Sequence, residues 1–391
     1  MEIELWHLLA LPFLFVAGWL ARGFESRVSE TDNAALPRSY FRGLNHLLND
    51  QPDKAIDAFI EVVKVDPQTI ELHFALGSLF RRRGEVERAI RMHQNLIERP
   101  DLEESQKLLA LFELAQDYLK AGLLDRAEEL FLKLEYTPHA EAALRFLLEI
   151  YEREKDWPKA TVIAEKLEAI TGRSHQKEIA NFSCELAVNE SMHTRPEAAR
   201  EHLVQALAHH RLCVRANILL GDLELQAGNP DAAIEAWKRI ESQNPNYLAL
   251  VAERMFGAFR ESGRAEEGLN LLRGYLTKYP SLDLLNTVFQ GTLEASGTEA
   301  AYRLVRDELR RTPTLLGLDK LLEAQLLETP VERRHDLELI KQLVHQHTRG
   351  LAMYKCDNCG FRARQFYWHC PACAAWETYS PRRTEEKALP A

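Results

Sequence analysis

The 391-residue chain has no glycine-rich phosphate loop, no H-E-x-x-H and no G-x-S-x-G. P-loop phosphoryl transfer, zincin-type proteolysis and α/β-hydrolase chemistry therefore have no carrier in it. A basic surplus is missing too, since the formal net charge is −10. Non-specific affinity for nucleic acid comes from Lys and Arg meeting phosphates, so nucleic acid is not expected among the partners. Cysteine is scarce. There are six, and four of them fall in the 18 residues from Cys356 to Cys373. Such paired spacing argues against a disulfide framework and for metal ligation in a reducing compartment. The other two, Cys184 and Cys213, lie in leucine-rich helical surroundings and are expected to be buried structural thiols.

Long uncharged runs are also rare, and the one at the N-terminus stands out. Leu5 to Ala21 is 17 residues without a charged side chain. As a helix it would span roughly 26 Å, near the lower limit for a bilayer core. Trp6 and Trp19 fall near its ends, where amphipathic rings favour the interface. A secretory signal would want a basic n-region, but the flanking charges are Glu2 and Glu4. A buried N-terminal helix is the other alternative. Arg22 and Arg27 follow the run, so the positive-inside rule predicts a single-pass anchor over 1–22 with the rest of the chain in the cytoplasm.

What the middle does have is a repeat. Gly43 to Gly77 is 34 residues, and Ala55 to Ala89 is 34 again. Small residues at the start of each second helix continue through Ala127, Ala160, Ala199, Ala233, Gly268 and Ala301, at intervals of 34, 38, 33, 39, 34, 35 and 33. A period near 34 with small residues in fixed places is the tetratricopeptide signature. Small residues let two helices of a hairpin close up, and prolines such as Pro245 and Pro280 end the second helix. The expected fold is mainly α: a solenoid of about eight to nine repeats over 36–330, then a linker helix over 331–350. Such an array offers a groove for peptides or proteins rather than a catalytic centre. Arg81-Arg82-Arg83 ends a first repeat helix, where cations suit the dipole. Arg81 and Arg82 are the candidate partner contacts, against the alternative of a solvated helix end.

Cys356-x-x-Cys359 and Cys370-x-x-Cys373 are ten residues apart. Each pair can form a knuckle presenting two thiolates, and two knuckles complete a tetrahedral site over a small unit at 351–379. Residues 360–369, "GFRARQFYWH", are expected to form a short hairpin between the knuckles. Gly360 suits the positive φ that a knuckle needs, whereas Ala374 holds the matching place. Phe361, Phe366, Tyr367, Trp368 and Trp376 supply apolar cover. Zn²⁺ is favoured, with Fe the alternative, and a closed four-thiolate shell leaves no position for a catalytic water. Residues 380–391 read as a disordered tail.

Anchor, repeats and four-cysteine unit together resemble the lipopolysaccharide assembly protein B family, tetratricopeptide inner-membrane proteins of Gram-negative bacteria. "LGSLFRRRGEVERAIRMHQ" (Leu76–Gln94) and "YKCDNCGF...YWHCPACAAW" carry the resemblance, which covers essentially the whole chain. It implies a rubredoxin-type unit packed on the repeats, with Cys356, Cys359, Cys370 and Cys373 as metal ligands. It also implies a non-enzymatic adaptor at the cytoplasmic face of the inner membrane. Its partners would be the membrane-anchored AAA+ zinc protease, the UDP-acyl-GlcNAc deacetylase whose degradation it promotes, and a lipopolysaccharide-sensing inner-membrane regulator that antagonises it. A non-proteolytic scaffold and an iron-based redox protein are the alternatives.

Overall fold

A computed structural model of the chain describes residues 38–65 and 69–388. The span expected over 1–22 lies outside them, and among the described residues no helix is long and apolar enough to cross a membrane. The chain divides into two compact units, one up to Ile150 and one from Tyr151 onward.

In the first unit helices pair as antiparallel neighbours: α1 (Arg38–Leu48) with α2 (Pro52–Val65), α3 (Ile70–Arg83) with α4 (Val86–Ile97), and α5 (Glu104–Lys120) with α6 (Leu124–Lys133). Helix α7 (Ala140–Glu154) follows. The pairing has a simple steric cause. A Cβ on Gly43 would stand 2.4 Å from the ring of Phe59, sixteen residues on, and one on Gly77 would stand 2.3 Å from the ring of His93, again sixteen on. The glycine on one helix is thus the socket for a ring on the next, which closes the hairpin. Gly84, at φ 86°, ends α3 in the left-handed region and turns the chain into α4.

The second unit repeats the scheme. After α8 (Trp157–Thr171) come the pairs α9 (Gln176–Met192) with α10 (Pro196–His209) and α11 (Val214–Gln226) with α12 (Pro230–Gln243). A 3-10 turn (Pro245–Leu250) then leads to the pair α13 (Ala252–Glu261) and α14 (Ala265–Lys278). Gly221 receives Trp237, sixteen residues on, and the indole also donates to the Ile218 carbonyl at 3.2 Å. Helix α15 (Leu282–Arg311) is two helices joined at Gly297, whose φ of 82° and ψ of −178° break the helical path. This single residue stands where a loop would separate the two helices of the last repeat, whose second helix carries Ala301. Helices α16 (Leu315–Glu328) and α17 (Val331–Thr348) complete the helical part.

The four-cysteine unit follows, with β1 (Tyr354–Lys355) antiparallel to β2 (Arg362–Ala363). This differs from the expected hairpin over 360–369. The first knuckle is itself the hairpin's turn, so β2 pairs back onto the residues before Cys356 instead of onward. Phe366 and Trp368 thereby reach Tyr247 of the repeats, while Tyr367 stays in the small unit against Tyr379. The tail differs as well. Thr384–Ala388 form a short helix, α18, tied to the repeats through side chains described below.

Candidate metal centre and its dock

Both knuckles follow one backbone plan. The amide of Cys356 donates to Phe361 O at 2.9 Å and Gly360 N to Cys356 O at 3.0 Å. In the second, Cys370 N donates to Ala375 O at 3.0 Å and Ala374 N to Cys370 O at 2.9 Å. The plan requires a left-handed residue at each turn: Gly360 at φ 78°, and Ala374 at φ 55°. Only the glycine adopts this without strain. Replacing Ala374 by Gly is expected to stabilise the unit by about 0.5–1 kcal/mol, measured as a higher midpoint for metal loss on titration with denaturant.

The four Sγ atoms all lie within 4.8 Å of one another. Cys356 and Cys373 are 3.8 Å apart, Cys359 and Cys370 3.7 Å. Disulfide sulfurs would sit at about 2.05 Å. Thiolates round a tetrahedral ion at about 2.3 Å would be separated by about 3.8 Å. The donor set therefore fits a metal and not a bridge. Burial raises the Cys356 thiol, but Thr378 and the backbone amides of Cys359 and Asn358 outweigh it and bring the group down to about 6. Asn358 Nδ2 donates to Cys373 Sγ at 3.4 Å. These donors favour thiolate, the form a cation binds.

Around this centre the unit is fastened to the repeats by aromatic rings. Trp376, 7% exposed, meets Trp157 of α8 and Phe182 of α9 edge-on at 5.9 and 5.8 Å. Its indole donates to Glu152 Oε1 at 3.0 Å. Trp368 stacks on Tyr247 at 5.3 Å and 6°. The Arg215 guanidinium lies 5.9 Å from the Trp368 ring and 5.8 Å from Trp376, held by Glu185 at 2.7 Å. Glu377 accepts from Asn181 Nδ2 at 2.9 Å and pairs with Lys177 at 3.2 Å.

A second set of contacts is polar. Asp283 on the first turn of α15 accepts from the Tyr354 hydroxyl at 3.0 Å and from Arg383 Nε and Nη2, at 2.9 and 2.8 Å. Two tail carboxylates then cap two helix starts. Glu386 accepts from Leu282 N at 2.8 Å; Glu385 accepts from Leu315 N and Leu316 N at 2.5 and 3.0 Å. Orphan amides at a helix N-terminus favour an anion, so the tail is ordered by the helices it caps. Sequence reasoning missed Asp283, Glu385, Glu386 and Arg215, because nothing local marks them.

Cys184 and Cys213 are fully buried, with Sγ atoms 3.9 Å apart. The candidate contacts part company. Arg81 is half-buried, pairing with Glu113 at 2.6 Å and with the fully buried Asp117 at 2.8 Å, which also holds His93 at 2.5 Å. It fastens α3 to α5. Arg81→Ala is expected to cost about 2 kcal/mol, as the loss of charged hydrogen bonds to a buried acceptor, read from thermal or denaturant unfolding. Arg82 is exposed at the end of α3.

A family model described as a rubredoxin metal binding domain matches residues 354–381, and one for the tetratricopeptide repeat matches 42–99 and 192–247. A lipopolysaccharide assembly protein B of Escherichia coli strain K12 is 35% identical over 385 residues, covering 97% of this chain and 98% of the relative. One from Haemophilus influenzae is 33% identical over 401 residues, covering 98% and 99%. A solved tetratricopeptide repeat protein from Parabacteroides merdae covers 74% of this chain and all of its own, at 14% identity and a TM-score of 0.32. Identity of this extent across nearly the full length, over repeats and four-cysteine unit alike, means that the chain belongs to the lipopolysaccharide assembly protein B family.

Proposed function

We propose that the protein is a non-enzymatic adaptor in the regulation of lipopolysaccharide synthesis. It presents the UDP-acyl-GlcNAc deacetylase to the membrane-anchored AAA+ protease, and a lipopolysaccharide-sensing inner-membrane regulator restrains it. Residues 1–22 anchor it in the bacterial inner membrane, N-terminus out, with the bulk of the chain in the cytoplasm. The observation that carries this reading is the dock. A four-thiolate centre without an open ligand position is pinned by Trp376, Trp368 and Asp283 to a repeat surface, so its role is to shape a binding face. Tethering supports it, because confinement at the membrane raises the effective concentration of that face near membrane partners.

The test is the half-life of the deacetylase in cells depleted of this protein. Adaptor action lengthens it and raises lipopolysaccharide. An unchanged half-life with the protease still co-purifying overturns the adaptor reading in favour of a non-proteolytic scaffold.

A further inference from the structure

A cavity of about 710 Å³ opens beside the tail, between the two ends of α15, the start of α16 and the residues around α18. Its walls are largely apolar, from Pro280, Leu282, Leu285, Leu309 and Pro313. That size suits a small ligand or a short chain end, and apolar walls with a few placed polar groups are the usual make-up of such a site.

All but one of the charges in the lining have partners. Arg311 pairs with Glu308 Oε2 at 3.1 Å, and Lys387 with Asp357 at 2.6 Å. Glu386 accepts from the amides of Leu282 and Arg383 at 2.8 and 2.6 Å. Arg382 differs. Its guanidinium has no hydrogen bond or ion pair among the described residues, and Glu386, the carboxylate whose charge it feels, already has both oxygens engaged. A free guanidinium beside apolar walls calls for an anion carried on an apolar group.

Two further atoms narrow the class. Glu308 is only 9% exposed, and its Oε1 has no hydrogen-bond partner among the described residues; the Ser281 hydroxyl has none either. A buried polar atom left unpaired costs about 1–3 kcal/mol, and these two belong to the cavity wall, where a ligand N–H can meet the carboxylate. A fatty acid offers an anion and an apolar chain but no N–H. Inorganic phosphate has no apolar surface. The C-terminal end of a polypeptide has all three features: a carboxylate, a backbone N–H next to it and a side chain.

We propose that this cavity binds the C-terminal end of a partner polypeptide whose last residue is apolar. The terminal carboxylate meets Arg382, the last backbone N–H meets Glu308 Oε1, and the last side chain lies against Leu285 and Leu309. The inference needs neither the anchor nor the protease, so it stands or falls apart from the adaptor reading.

The test uses the full-length, metal-loaded protein in detergent and a fluorescein-labelled pentapeptide, Gly-Ser-Gly-Ala-Leu, with a free C-terminus. Fluorescence anisotropy is expected to show one saturable site. Amidation of that C-terminus should weaken binding about tenfold, and so should Arg382→Ala, with circular dichroism and metal content unchanged. Methylation of the last amide nitrogen should weaken it about fivefold. Decanoate competing as well as the unlabelled peptide overturns the inference in favour of a fatty acid. No binding at millimolar peptide, or equal binding of acid and amide, also overturns it. Binding gained only after removal of residues 389–391 overturns it in favour of an occupant from this chain.

Discussion

Replacing Cys356 and Cys359 together by serine will release the metal and unfold residues 354–378, leaving the repeats helical. Removal of one knuckle leaves two thiolates for an ion that takes four. The small unit has almost no core of its own. Its own core cluster has four buried residues, Tyr354, Cys356, Cys370 and Tyr379, and two of them are ligands, while Trp376 is buried against the repeats. Structural zinc contributes about 10–16 kcal/mol to folding in comparable peptides, more than such a core supplies. Elemental analysis should show metal content falling from about one ion per chain to near zero. Far-UV circular dichroism should stay largely helical, and Trp368 and Trp376 emission should move towards that of solvated indole. Unchanged metal content in the double variant would defeat the assignment.

Trp376→Ala separates the metal from the dock. The indole fills a slot between Trp157 and Phe182, stacks on His369 and donates to Glu152. Truncating a buried tryptophan costs about 3–5 kcal/mol. The expected outcome is a protein with full metal content whose four-cysteine unit has come away from α8 and α9. Limited proteolysis should then cut near residues 349–353, between α17 and β1, far faster than in the parent. Amides of the two knuckles should still resist exchange. If the variant loses its metal together with its dock, the two are one cooperative unit, and the closed centre does not stand on its own knuckles.

Features carried by short-range chemistry were legible in the sequence. Two C-x-x-C pairs state a ligand set by spacing alone, and the small-residue period of about 34 located the helix hairpins. The socket-and-ring rule is equally local, sixteen residues from Gly43 to Phe59 and from Gly221 to Trp237. The dock was not legible. Trp376 and Glu152 are 224 residues apart, and Tyr354 and Asp283 are 71 apart, with no periodicity between them. The hairpin was misplaced because alternation in 360–369 says that a strand is present but not which neighbour it takes. The tail read as disordered because "PRRTEEKALPA" has little to bury. Its order comes from unsatisfied amides 70 and 104 residues away, which no local pattern announces.

The carboxylates of Glu385 and Glu386 also bear on how the chain is made. Synthesis runs from the N-terminus, so α15 and α16 emerge from the ribosome long before the residues that cap them. Arg383 meets Asp283 across 100 positions. Contacts that span so much sequence form late, since the loop must close before they contribute. The capping contacts of the second unit therefore form after the helices they close. A chain clipped before residue 383 leaves two helix starts without their carboxylate caps, and Asp283 with only Tyr354 of the four-cysteine unit as its partner.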